Sequence, residues 1–213
     1  MSFFTIILSL LIGYLFGCFQ TSYFLSKWIS NKDIREIGSG NAGASNVTSE
    51  LGWKYGVLTG ILDILKAYIH TQISIHLLNS FFILDTNFNL DVIVLAGTGA
   101  VLGHIFPFFL KFRGGKGVAS YIGMFFAIDP ILALGVIFSL ALITIITDYV
   151  AIGSIILYLC IPIFVYQSGQ SEIILYCTII LFIVGMFKHW INIQRIVNQT
   201  EIGLRSVYKK NNK

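Results

Sequence analysis

Three polar stretches hold most of the side chains in this chain that could manage an anion. The run from Gly103 to Gly117 sets His104, Lys111, Arg113 and Lys116 beside Gly114, Gly115 and Gly117. Glycines let consecutive backbone N–H groups turn toward one point, and a helix that starts there adds its dipole. Gly114-Gly-Lys-Gly117 therefore predicts a phosphate-sized anion site at a helix start. It is not a nucleotide P-loop: that pattern needs Gly where Leu110 stands and Ser or Thr where Gly117 stands. The run from Ile37 to Asn46 offers neutral donors on Ser39, Asn41, Ser45 and Asn46 between Gly38, Gly40 and Gly43, with Arg35 and Lys54 on its flanks.

The third stretch reads Lys188-His-Trp-Ile-Asn-Ile-Gln-Arg195. Helical spacing puts His189 and Asn192 on one face and aligns Lys188, Asn192 and Arg195 on another, so these groups could converge on one cleft. A histidine with a reference pKa of about 6.5 suits general-base work. Glu201 is expected to hold the loops by pairing with a cation. Asp63 and Lys66, spaced i,i+3, predict a pair inside a span, with Lys66 reaching toward the site as the alternative. His70 and His76 read as structural. Blander readings stand beside these: a flexible connector for the first stretch, and snorkelling cations that only fix topology for the second.

The elements that carry these stretches are apolar. The chain has 213 residues, 56% hydrophobic and 11% charged, against roughly 25% charged for soluble domains. This composition predicts an all-α integral membrane protein, one polytopic domain over 1–213. Apolar runs occupy about 2–26, 55–79, 90–110, 117–128, 131–147, 150–167 and 172–188. Most have the ~20 residues that a crossing helix needs, whereas the fourth is short or belongs to one long helix broken at Asp129-Pro130. The 20 glycines suit close helix packing in lipid.

All fourteen Lys and Arg residues except Lys66 lie in three windows: 27–54, 111–116 and the tail 188–213. The positive-inside rule then places these windows in the cytoplasm and favours seven crossings with the N-terminus outside. Asp85, Asp91, Asp129 and Glu172 should mark the opposite face. The net charge of +4 fits lipid headgroups or a phosphorylated substrate rather than nucleic acid. Cys18, Cys160 and Cys177 lack ligand spacing, the histidines likewise, and no metal site or cofactor is expected. The run 2–26 reads as a first span and not as a cleaved signal.

At these windows the sequence resembles the bacterial acyl-phosphate-dependent glycerol-3-phosphate acyltransferases, the PlsY family. The likeness rests on Ser39-Gly-Asn-Ala-Gly-Ala-Ser-Asn46, on Gly103-His-Ile-Phe-Pro followed by Gly114-Gly-Lys-Gly-Val-Ala119, and on Lys188-His-x-x-Asn-Ile-x-Arg195 with Glu201. It implies a seven-span cell-membrane enzyme of phospholipid biosynthesis, taking acyl phosphate and glycerol-3-phosphate to lysophosphatidic acid and phosphate. Ser39 and the glycines of its block would then belong to the active site, the glycines around Lys116 would hold phosphate, and His189 and Asn192 would sit at the reacting groups. The resemblance implies Glu201 mainly for integrity. Three positions depart from the family: Ser49 stands where Arg is usual, Gln199 where Gly precedes Thr-Glu, and Gln20 where Pro is usual.

A His-x-x-x-x-Asp acyltransferase motif is absent, since Ile75, Phe81, Phe109 and Gln194 follow the four histidines at that spacing. Two other readings compete with a monomeric acyltransferase. One is a transporter of a phosphorylated small molecule. The other is an inactive paralogue, which the Ser49 departure suggests.

Overall fold

Hydrocarbon offers no partner for a peptide group, so an apolar chain must satisfy its backbone within helices. The computed structural model of this chain describes residues 2–81 and 89–211. Asp85 and Lys213 lie outside the described residues. Helices α1 (Phe3–Gly17), α2 (Thr21–Ser30), α3 (Ala44–Leu51), α4 (Trp53–Phe81) and α5 (Asn89–Ile105) are followed by α6 (Val118–Ile128), α7 (Pro130–Thr147), α8 (Val150–Gln167), α9 (Glu172–Val197) and α10 (Leu204–Asn211). Short 3-10 turns occupy Ile34–Glu36 and Phe108–Leu110. Among the described residues, five segments are long and apolar enough to cross a membrane: Phe3–Ser30, Leu90–Leu110, Pro130–Thr147, Val150–Gln167 and Glu172–Val197.

The central helix is α5, which packs on α1, α4, α6 and α9. Its contact with α1 is backbone on backbone. An added Cβ would lie 1.9 Å from Ala96 O at Gly13, 2.2 Å from Ala100 O at Gly17, 2.2 Å from Leu10 O at Gly99 and 2.1 Å from Tyr14 O at Gly103. Each helix thus carries a Gly-x-x-x-Gly pair, the spacing that lets helices approach closely in lipid. The paired numbers rise together, so α1 and α5 run parallel. By contrast, α4 runs antiparallel to α5: Asp63 lies near His104, and His70 lies beside Ala96. Through α9 the remaining helices alternate, and the carboxyl ends of α1, α5, α7 and α9 gather at one end with the start of α10.

Several boundaries differ from expectation for physical reasons. The run 2–26 is not one helix; it breaks at Cys18–Gln20 and resumes as α2. At the break stands Gln20, fully buried in the position before α2, which makes no side-chain cap on that helix and instead donates from Nε2 to His104 O at 2.9 Å. Residues 117–147 form two helices and not one, since Asp129 ends α6 and its carboxylate accepts from Ile131 N at 2.7 Å at the start of α7. The first window contains a helix, α3, where glycine density predicted only loop. Pro107, which has no N–H to give, follows the end of α5. At the far end Asp91, Asp129 and Glu172 lie at the starts of α5, α7 and α9, and Ser171 donates to Asp91.

The α1–α5 contact yields a stability test. Gly99→Ala forces a methyl into the Leu10 carbonyl and should lower the thermal midpoint in detergent, a loss of about 1–3 kcal/mol. Gly135→Ala, where a Cβ would meet nothing within 4 Å, should not lower it.

Candidate active site

The site begins with the carbonyls at the end of α5. Gly115 N donates to His104 O at 3.1 Å, Gly114 N donates to Ile105 O at 3.2 Å, and Tyr14 OH donates to Phe106 O at 2.8 Å. Only glycine fits this path. A Cβ on Gly114 would lie 2.1 Å from His104 O, and one on Gly115 would lie 2.1 Å from His104 Nε2 and 2.5 Å from Ala42 O. The Gly114 and Gly115 amides are therefore committed to α5 and do not face an anion, contrary to the expected nest. Gly117 turns left-handed at φ 83° with no side-chain cap on α6, which leaves the first-turn amides of α6 to water or a ligand.

Lys116 lies between those two features. Its carbonyl accepts from Tyr158 OH at 2.9 Å, while its ammonium donates to Asn192 Oδ1. Asn192 Nδ2 in turn donates to Glu201 Oε1 at 2.6 Å. Glu201 thus meets a cation through an amide and not directly as expected. Burial lowers the Lys116 pKa, with Arg195 and Lys188 adding to the effect and Glu201 opposing it; the net position is about 8. His189 is buried one turn before Asn192, its ring 6.0 Å from that of Tyr158. Its Nδ1 faces Gly185 O at 2.8 Å. A carbonyl only accepts, so Nδ1 carries the proton and the neutral ring keeps a lone pair on Nε2.

The first window joins this centre through backbone. Arg35, clamped by Asp33 at 2.6 Å, donates from Nη1 to Leu110 O at 2.8 Å. That carboxylate raises the Arg35 pKa, and Arg35 lowers the Asp33 pKa through the same hydrogen bonds. Asn46 is buried, accepting from Ser39 N at 2.9 Å and donating to Ile34 O and Ile37 O at 2.9 and 3.0 Å. Its amide shapes the loop and has no group left over for a ligand. Ser39 and Ser45 are exposed, Asn41 is half-buried, and Gly43 is buried before α3. Ser49 is buried on α3, and Lys54 is exposed over the Trp53 ring.

Other expected residues fall elsewhere. Lys111 and Arg113 are exposed on the turn before Gly114, outside the Lys116 cluster. Lys66 does not extend to that cluster. It donates to Phe19 O at 2.6 Å, pairs with Asp63 at 2.9 Å and faces His104 Nδ1 at 2.9 Å. Asp63 also accepts from Thr21 Oγ1 at 2.9 Å. These four side chains form a closed polar plug beneath Gly115, with His104 Nε2 against the glycine. Tyr158 and Tyr14 went unread in the sequence because each lies in an apolar run with no motif around it, and Gln20 stood out only as a departure from a usual Pro. Gln199 holds φ 57°, a left-handed conformation that explains why relatives would favour Gly there.

Along α6, α7 and α8 an apolar cavity of about 640 Å³ opens between Phe125, Leu132, Val136, Ile143, Leu157 and Phe164. Its lining extends on α8 from Gly153, near the site end, to Val165, about 18 Å of helix. Gly135 faces it with open space.

The family model described as glycerol-3-phosphate acyltransferase matches residues 7–199. A glycerol-3-phosphate acyltransferase of Endomicrobium trichonymphae is 38% identical over 206 residues, covering 96% of this chain and 98% of that one. One from Thermosipho melanesiensis is 40% identical over 196 residues, covering 92% of this chain and 90% of its own length. Among solved structures, the integral membrane glycerol 3-phosphate acyltransferase PlsY in its glycerol 3-phosphate form is similar with a TM-score of 0.77 and 32% identity, covering 94% of both chains. Its lysophosphatidic acid form gives 0.72 and 31%, over 96% of this chain and 95% of that one. This multi-pass membrane chain belongs to the glycerol-3-phosphate acyltransferase family.

Proposed function

We propose that this chain moves a fatty acyl group from acyl phosphate to the 1-hydroxyl of glycerol-3-phosphate, giving lysophosphatidic acid and inorganic phosphate. In this reading it works as a monomer without cofactor, with seven crossings and its site on the cytoplasmic face. The observation that carries the reading is Lys116, half-buried at the start of α6 and held through Asn192 by Glu201. A half-buried ammonium with one neutral and one indirect anionic partner lacks a full counter-charge, which a substrate phosphate would supply. Relatives named for glycerol-3-phosphate, and neighbour structures in glycerol 3-phosphate and lysophosphatidic acid forms, support the choice of acceptor and product.

Acyl phosphate is an activated mixed anhydride, so the protein's task is to bring two anions together and aim a hydroxyl. Positioning of that kind is worth about 7–11 kcal/mol at its best. Lys116 and the first-turn amides of α6 hold the glycerol-3-phosphate phosphate. Arg35 is neutralised by Asp33 and acts by tying the first window to Leu110 O, and Ser49 brings no cation of its own. The hydroxyl oxygen attacks the carbonyl carbon, the carbon–oxygen bond to phosphate breaks, and phosphate leaves with the electron pair. His189 Nε2 takes the hydroxyl proton. Ser39 and the donors beside it face the reacting groups, and the cavity along α6–α8 takes the acyl chain.

Purified protein given acyl phosphate and labelled glycerol-3-phosphate should form labelled lysophosphatidic acid. Uptake of label into vesicles without new lipid would mean a transporter, and neither signal would mean an inactive paralogue. His189→Ala with near-normal turnover would move the proton to a phosphate oxygen. The ammonium of Lys116 is lost as pH rises through about 8, so kcat/KM for glycerol-3-phosphate should fall above that pH. Lys116→Arg, charged at all working pH, should abolish the falling limb. Gly135→Phe should cut kcat/KM for a long-chain acyl phosphate by at least about tenfold relative to a short one. An unchanged ratio would place the chain elsewhere.

A further inference from the structure

Asp148 ends α7 in the left-handed conformation, φ 70°, which Asp tolerates better than most side chains. Its carbonyl accepts from Leu204 N at 2.7 Å and its Oδ1 accepts from Arg205 N at 2.8 Å. Gly203 is required by this contact, since a Cβ there would lie 2.2 Å from Asp148 Oδ2. The α7–α8 corner therefore caps the first turn of α10 and pins residues 203–205. Two residues upstream is Glu201, whose N–H, with that of Thr200, donates to Arg195 O at 3.2 and 2.8 Å. Glu201 is thus fixed from both sides, by the end of α9 and by Asp148.

We infer that Asp148 is a positioning residue for Lys116: by anchoring Gly203–Arg205 it keeps Glu201 on Asn192, and Asn192 on the ammonium. Without the Asp148 carboxylate the tail keeps the bond from Leu204 N to the main-chain carbonyl of residue 148 and the one from Arg205 to Ile145 O, but it loses the cap on Arg205 N, so the hydrogen bond of Glu201 to Asn192 would have to order a looser tail. The ion pair with Arg205 does not account for the contact, being 3.9 Å long with Arg205 70% exposed. Such pairs contribute little. The carboxylate serves one backbone amide, that of Arg205, and the Oδ1 of an Asn could serve it equally. This inference rests on the reading of Lys116 as the phosphate-binding cation.

The test combines kinetics with a measurement that needs no turnover. Asp148→Ala should raise KM for glycerol-3-phosphate about tenfold, with kcat changed far less, the size expected for a linked hydrogen-bond network. Asp148→Asn, which keeps the left-handed turn and the cap, should restore wild-type values, and Arg205→Ala should match wild type. The Asp148→Ala/Glu201→Gln double variant should be no worse than Glu201→Gln alone. Independently, the pH midpoint for labelling Lys116 with an amine-selective reagent should fall in Asp148→Ala. Lys116 would then face Arg195, Lys188 and His189 with less opposing charge from Glu201. An Asp148→Ala protein with unchanged KM and labelling midpoint, or a double variant whose losses multiply, would overturn the inference. Absence of lysophosphatidic acid in the wild type would instead sink the acyltransferase reading and leave the labelling result to judge Asp148.

Discussion

At the end of α5 three consecutive carbonyls, those of His104, Ile105 and Phe106, need donors just where Pro107 withholds one. They find them in Gly115, Gly114 and Tyr14, with Gln20 as a second donor to His104. In a low-dielectric setting an unpaired peptide oxygen costs several kcal/mol, so these bonds are a constraint and not a decoration. They fold the chain after Pro107 back against α5 and set the two glycines where no Cβ fits. They also deliver Lys116 to the mouth of α6. The polar plug of Asp63, Lys66, Thr21 and His104 fills the space beneath the same turn. The placement of Lys116 is thus a by-product of how one buried helix end is satisfied.

A second constraint follows from charge. Lys116 has Lys188, Arg195 and Glu201 nearby, so its ammonium sits in a cationic neighbourhood with one carboxylate opposing. Desolvation already holds its pKa near 8. A phosphate dianion bound as proposed would reverse that balance and hold the ammonium charged to higher pH. The apolar surroundings strengthen the attraction for the same reason that they weaken the free cation. In that proposal binding and protonation are coupled, so affinity would depend on pH as well as on contacts.

Much of this was legible in the sequence because the loop residues announce their chemistry. The cation windows, the glycine pattern around Lys116 and the i,i+3 pair of His189 and Asn192 pointed to one cleft, and apolar run lengths gave an all-helical membrane fold. What could not be read was which polar atoms the backbone would claim. Asn46 looked like a ligand donor but is fully engaged by Ile34, Ile37 and Ser39. Gly114 and Gly115 looked like a nest but cap α5. Lys66 looked able to reach the site, yet Asp63 and His104 hold it below. Tyr158 carries no pattern at all, although its hydroxyl fixes the Lys116 carbonyl from a different helix. Partner choice across helices depends on register, and no local spacing encodes that register.

The most direct measurement is equilibrium binding of glycerol-3-phosphate to the detergent-solubilised protein, comparing Lys116→Met with Lys111→Met. Both remove one cation while keeping a long unbranched side chain, but only Lys116 belongs to the relay through Asn192 and Glu201. The account predicts that Lys116→Met loses affinity by at least about tenfold, as expected when a buried charged partner is removed, while Lys111→Met binds as the wild type does. Equal losses for the two, or wild-type affinity in Lys116→Met, would contradict it.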